Sequence, residues 1–146
     1  MVQNYEEKVQ FLLGYRRAFD RQYSLLDEIE QWHTMSERVT ADLSGMPRGG
    51  GGGPNRIESA VEHIDELQRQ LDEQVKTCIA RRAEVEAVIE AVPNLRQQEI
   101  LRMVYLNGYA WPEIVARTGY GERYARRLRR HAVERVRVMK EQGAQK

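Results

Sequence analysis

Cysteine is almost absent from this chain of 146 residues. Cys78 stands alone, so no internal disulfide can form. Its place in a helical apolar repeat reads as a small buried hydrophobe in a reducing cytoplasm. Proline and glycine are sparse outside one tract, and no run approaches the ~20 apolar residues that a bilayer crossing requires, which excludes a membrane span. Residues 1–7 carry no basic segment followed by an apolar one, so they do not read as a secretory leader. What remains is 31% charged and 41% hydrophobic residues, rich in the Arg, Glu, Gln and Ala that suit helices. The expectation is an all-α protein of the cytoplasm.

A net charge of +1 conceals an asymmetry. Residues 1–92 hold 11 Lys/Arg against 17 Asp/Glu, and residues 93–146 hold 12 against 5. An acidic half is thus joined to a basic half, and 8 of the basic side chains lie within 122–140. Such an arrangement suggests that the basic end meets a polyanion, although solvated helix faces also carry charge runs.

The acidic half shows a seven-residue apolar repeat. Tyr5, Leu12, Phe19, Leu26 and His33 recur in one register, with Val9 and Tyr23 between them. Ile57, Ile64, Leu71, Cys78, Val85 and Val92 repeat it, with Val61, Val75 and Ile89 as the alternate seam. Heptads of this length argue for two long helices packed as in a coiled coil. Arg16, Glu30, Gln68 and Arg82 interrupt the seam. Residues 44–56, with Pro47, Pro54 and five successive glycines, read as a flexible linker. The simplest arrangement is an antiparallel hairpin over 1–92. Leu13, Leu25 and Ile29 would then lie on its outer faces and invite a further partner, so homodimerisation through this region is a hypothesis.

From Pro93 the pattern shortens. Residues 93–106 read as a helix with Pro in its first turn and Ile100, Leu101, Val104 and Tyr105 inward. Residues 111–117 form a second short helix, and Thr118-Gly-Tyr-Gly121 a tight turn. A third helix is expected over 122–140, with Ala125, Leu128, Ala132 and Val136 inward. Short helix, glycine-containing turn and basic helix make a helix-turn-helix, whose last helix enters the DNA major groove. The charges of that helix are arginine rather than lysine up to residue 139. Arginine grips guanine or phosphate with a planar fork, where lysine is a point charge.

Residues 95–115 (Leu-Arg-Gln-Gln-Glu-Ile-Leu-Arg-Met-Val-Tyr-Leu-Asn-Gly-Tyr-Ala-Trp-Pro-Glu-Ile-Val) and 119–133 (Gly-Tyr-Gly-Glu-Arg-Tyr-Ala-Arg-Arg-Leu-Arg-Arg-His-Ala-Val) resemble the promoter-recognition domain of bacterial sigma factors, their fourth conserved region. With the acidic front part, the whole chain looks like phage-encoded sigma-like regulators of the ArpU and RinA type. The resemblance implies a transcriptional regulator of phage or prophage genes that binds double-stranded DNA, with RNA polymerase as a further partner. It implies base or phosphate contacts at Glu122, Arg123, Tyr124, Arg126 and Arg127, to which helical spacing adds Arg130. Glu122 is also read as a helix cap, and Tyr124 as a packing residue. The chain departs from the pattern at Ala110 and Gly121, where a hydroxyl usually caps each helix, and at Val115 and Thr118. It has no counterpart of the region that melts promoters.

Catalysis finds little footing. His33, His63 and His131 are scattered, none at metal-ligand spacing with Cys or a carboxylate. The glycine run lacks the Lys-Ser/Thr of a phosphate loop. No catalytic residue, metal or cofactor is expected. Two alternatives to the regulator remain: a DNA-packaging adaptor of the small-terminase type, and a protein-interaction module without DNA binding.

Overall fold

A computed structural model describes residues 3–45 and 53–138, with side chains described over 3–38 and 57–138. Every regular element among the described residues is helical. In chain order they are α1 (Tyr5–Leu12), α2 (Gly14–Gly45), α3 (Gly53–Glu90), α4 (Leu95–Leu101) continued by a π-helical turn (Arg102–Leu106), α5 (Trp111–Thr118) and α6 (Glu122–Arg135). The chain is therefore all-α, as its composition and periodicity predict. The expected linker over 44–56 is shorter than read: α2 runs through Gly45 and α3 begins at Gly53. Pro54 falls in the first turn of α3, where a missing N–H costs no intrahelical bond. Residues 46–52 of the expected linker lie outside the described residues.

The contacts group the chain into two compact units, residues 18–78 and residues 1–17 with 79–146. They do not coincide with the boundary read at Pro93. In the first unit α2 and α3 run antiparallel, as the cross-links at both ends require. Gln74 Nε2 donates to the Ala18 carbonyl at 2.9 Å, and farther along the pair Trp32 meets His63 in a tilted contact with ring centroids 4.4 Å apart. Between them Leu25 and Ile29 meet Leu67 and Leu71, with Trp32, Ile64 and Val75 alongside.

This packing corrects the register of the seam. Leu25 and Ile29, expected on the outer face, are 1% and 8% exposed, whereas Tyr23 and Leu26, expected inside, are 66% and 46% exposed. His33 is exposed too. On α3 Ala60 and Leu67 are buried where Val61 was expected, and Val61 is half exposed at 50%. On α3 only that stripe shifts: Leu71, Cys78, Val85 and Ile89 are buried where the repeat places them, as is Val92 just beyond the helix. α2 carries two apolar stripes ~100° apart, and the stripe that includes the small Ala18 is the one its partner covers. Cys78 is buried, and burial raises its thiol pKa above the ordinary value.

The second unit brings α1 together with the end of α3 and with α4, α5 and α6. Asn4 caps α1 through a reciprocal pair, accepting from the Glu7 amide at 2.8 Å while the Asn4 amide donates to Glu7 Oε1 at 3.2 Å. Asn94, rather than Pro93, opens α4, its side chain accepting from the Gln97 amide at 3.0 Å. Pro93 thus precedes the helix instead of lying in its first turn. Gln98 reaches back to the Val92 carbonyl at 2.6 Å, satisfying an acceptor that the end of α3 leaves open. A single core then joins Leu12, Val85, Ile89 and Val92 to Ile100, Leu101, Tyr105, Leu106, Ile114, Ala125, Ala132, Val133 and Val136. Leu13, also expected on an outer face, packs against this core.

Candidate nucleic-acid interface

α5 and α6 meet through a short turn fixed by local chemistry. Ala110 and Gly121 stand at the N-caps of α5 and α6, and neither supplies a side-chain cap. Gly119 ends α5 in the left-handed region at φ 77°, where a side chain would be strained. Thr118 Oγ1 donates to the Ile114 carbonyl at 2.7 Å and accepts from the Tyr120 amide at 3.1 Å, stitching the turn to α5. Ile114, Ala125, Ala132 and Val133 are buried at the heart of this arrangement, and Leu128 packs against them. The inward face read from the sequence is therefore the buried one.

α6 ends earlier than the expected 122–140. It stops at Arg135, and Val136 is extended with φ −66° and ψ 140°. Val136 is fully buried, and the Gln3 side-chain amide binds the backbone two residues on. Gln3 Nε2 donates to the Val138 carbonyl at 2.6 Å, and the Val138 amide donates to Gln3 Oε1 at 3.0 Å. This side chain supplies hydrogen bonds that a helix would otherwise supply, and apolar burial anchors the turn. Lys8 Nζ also reaches the Glu134 carbonyl, at 2.8 Å. Residues 139–140 lie outside the described residues.

Arg123, Arg126, Arg127 and Arg130 all lie on α6 and are exposed. At 100° per residue they fall within an arc of ~100°, opposite Ala125 and Ala132. Their electrostatic settings differ. Arg126 holds Glu122 through Nε at 2.8 Å and Nη2 at 2.7 Å, an exposed i,i+4 pair. Arg130 approaches Glu134 only to 4.0 Å. Arg123 and Arg127 have no carboxylate partner among the described residues. Exposed ion pairs are worth ~0–1 kcal/mol, so an incoming phosphate can replace Glu122 or Glu134 at little cost.

Tyr124 is half-buried, with its ring edge-on to Tyr120 at 5.0 Å, and Arg127 lies 5.9 Å from its centroid. Glu122 is tied to Arg126 side chain to side chain; the N-cap of α6 receives no side-chain hydrogen bond. His131 is exposed, 3.3 Å from Glu134 through Nδ1. Among the described residues no group of three or more His, Cys, Asp or Glu is placed to hold a metal ion.

Two residues that sequence reasoning passed over belong to the same surface. Trp111, the first residue of α5, lies under two guanidinium groups: Arg126 Cζ is 4.9 Å and Arg129 Cζ 5.4 Å from its ring centroid. Arg129 is partly buried beside Tyr105, whose phenol burial pushes above its ordinary range while the Arg129 charge pulls it back. The available signal was the Arg126–Arg129 spacing of three, which puts both side chains over one neighbouring helix. Arg117, paired with Glu113 at 2.7 Å, covers Tyr109 in a similar way at 4.3 Å.

No helix among the described residues is long and apolar enough to cross a membrane. No curated protein and no solved structure matches the chain. A family model described as a protein of unknown function, DUF1492, matches residues 52–137, from the start of α3 to just past the end of α6. The chain belongs to this DUF1492 family.

Proposed function

We propose that the protein is a sequence-specific DNA-binding regulator of transcription, with α6 entering the major groove of double-stranded DNA. The observation that carries this reading is the face of α6: four exposed arginines on one arc, two of them without a carboxylate partner among the described residues. A helix that served only solubility is expected to alternate Glu with Lys, whereas α6 carries arginine and no lysine. The helix also follows a tight turn after a short helix, the geometry that presents a recognition helix. The sigma-like pattern of residues 95–133 supports the same reading and favours a phage or prophage regulator acting beside RNA polymerase. Arg126 and Arg127 are assigned to the DNA, with Arg123 and Arg130 flanking them. Phosphate contact is the main role of these arginines, because half or more of protein–DNA hydrogen bonds go to the backbone.

The test is the double variant Arg126→Ala with Arg127→Ala. Both side chains are exposed, so helical content should be unchanged. Each lost phosphate contact removes ~0.9 from the slope of log affinity against log salt. Loss of two contacts therefore removes about 12-fold of the affinity change between ~50 and ~200 mM salt. Unaltered affinity and slope in the folded double variant would refute the assignment of α6.

A further inference from the structure

We infer that Arg129, held against Trp111, forms with Arg126 an anion seat for one phosphodiester of the DNA backbone, at the edge of α6 that faces α5. This rests on the DNA-binding reading and adds to it a residue and a ligand chemistry outside the exposed arginine face.

Charge is unbalanced around Trp111. Two guanidinium groups approach one indole ring, at 4.9 and 5.4 Å from its centroid. Both are permanently protonated, so bringing them together costs Coulomb energy that the ring's quadrupole only partly offsets. Arg126 is neutralised by Glu122. Arg129 has no carboxylate partner among the described residues: the group beside its guanidinium is the neutral Tyr105 phenol, and its buried Nε has no hydrogen-bond partner. A guanidinium that is partly desolvated and lacks a counter-charge is expensive unless something anionic joins it.

The surroundings suit a phosphate better than a carboxylate side chain. Planar guanidinium groups hold tetrahedral oxyanions bidentately, and stacking on Trp111 restricts their orientation before any ligand arrives. Trp111 also begins α5, whose N-cap Ala110 contributes no side-chain acceptor. In the first turn of α5 only Glu113 opposes the partial positive charge of that terminus, and Arg117 holds that carboxylate at 2.7 Å. The acids in the first turns of α5 and α6 are already engaged, Glu113 by Arg117 and Glu122 by Arg126, so the anion of this seat comes from outside. A duplex lying along the exposed face would bring its sugar-phosphate strand past this edge.

Trp111 is here a positioning residue and Arg129 the ligand-binding one. The experiment measures binding of the full chain to duplex DNA across a salt series, for the wild type, Arg129→Gln and Arg129→Lys. Arg129→Gln is expected to lower affinity equally for all sequences bound and to reduce the salt slope by ~0.9, one phosphate. Arg129→Lys keeps the charge and loses the planar stack, so it should keep the slope while weakening binding several-fold. It also guards against a folding defect in the glutamine variant, which circular dichroism would reveal. A wild-type slope and affinity in folded Arg129→Gln, with Arg127→Ala still weakened, would overturn the anion seat and leave the DNA reading standing. Failure of the wild type to bind any duplex would overturn both.

Discussion

Leu12→Ala tests the most consequential feature of the fold, the shared core that joins α1 to the C-terminal helices. Leu12 is 0% exposed and contacts a core that includes Ile100, Tyr105, Ala132 and Val133, all more than 85 positions away in sequence. Truncating a fully buried leucine costs ~3–5 kcal/mol, the lost transfer energy plus a cavity that the surroundings only partly refill. For a unit of this size, 1 kcal/mol moves the midpoint of thermal unfolding by ~4–8 °C. The variant should therefore lose at least ~12 °C. Trp111 reports this unit and Trp32 the other, so a Trp32→Phe background isolates the relevant fluorescence. Leu26→Ala is the control: at 46% exposure it should change stability by no more than ~0.5 kcal/mol. A Trp111 transition that Leu12→Ala leaves within ~4 °C of wild type would refute the shared core, and would mean that the C-terminal helices fold without α1.

Three further outcomes follow from local geometry. Asn94→Ala removes the acceptor for the Gln97 amide and should cost ~1 kcal/mol in denaturant unfolding, with Asn94→Asp restoring most of it. Gly119→Ala should destabilise by ~1 kcal/mol although no atom lies within 4 Å of the added Cβ, because φ is 77° there; thermal melting reads it. Tyr105 has a phenol held above its ordinary pKa of 10.0 by burial, so the folded state favours the neutral form. That contribution is complete below the unfolded pKa and fades as pH rises through the raised folded one, and Tyr105→Phe should flatten the loss of stability above pH ~10.

Much of the C-terminal third was legible in the sequence because its signals are local. Gly119 and the Ala125, Ala132 and Val136 spacing place the turn and the inward face without reference to distant residues. Asn107-Gly108 likewise marks the end of the helical run after Leu106, with Gly108 at φ 68°. The heptad register was less legible because α2 carries two apolar stripes. Phe19, Tyr23 and Leu26 form the bulkier one, yet Ala18, Leu25 and Ile29 face α3, a choice made by the partner helix and invisible in α2 alone. The end of α6 was missed for a similar reason. Nothing within 122–140 announces that Gln3, 135 positions earlier, binds the Val138 backbone. The arginine face was visible as a spacing, whereas the Trp111–Arg129 contact needs the crossing of α5 and α6.

The exposed stripe on α2 also bears on the hypothesis of a homodimer. The residues available there are Tyr23 and Leu26, not Leu25 and Ile29, so a dimer through this region would have to bury the former pair.

The central claim is that α6 reads duplex DNA. Selection from a random duplex pool by the full chain at ~0.15 M salt, where non-specific binding is already weak, tests it most directly. Enrichment of a defined motif, lost in the Arg126→Ala/Arg127→Ala variant, is the expected result. Recovery of no duplex above the input pool, by a chain shown to be folded, would contradict it.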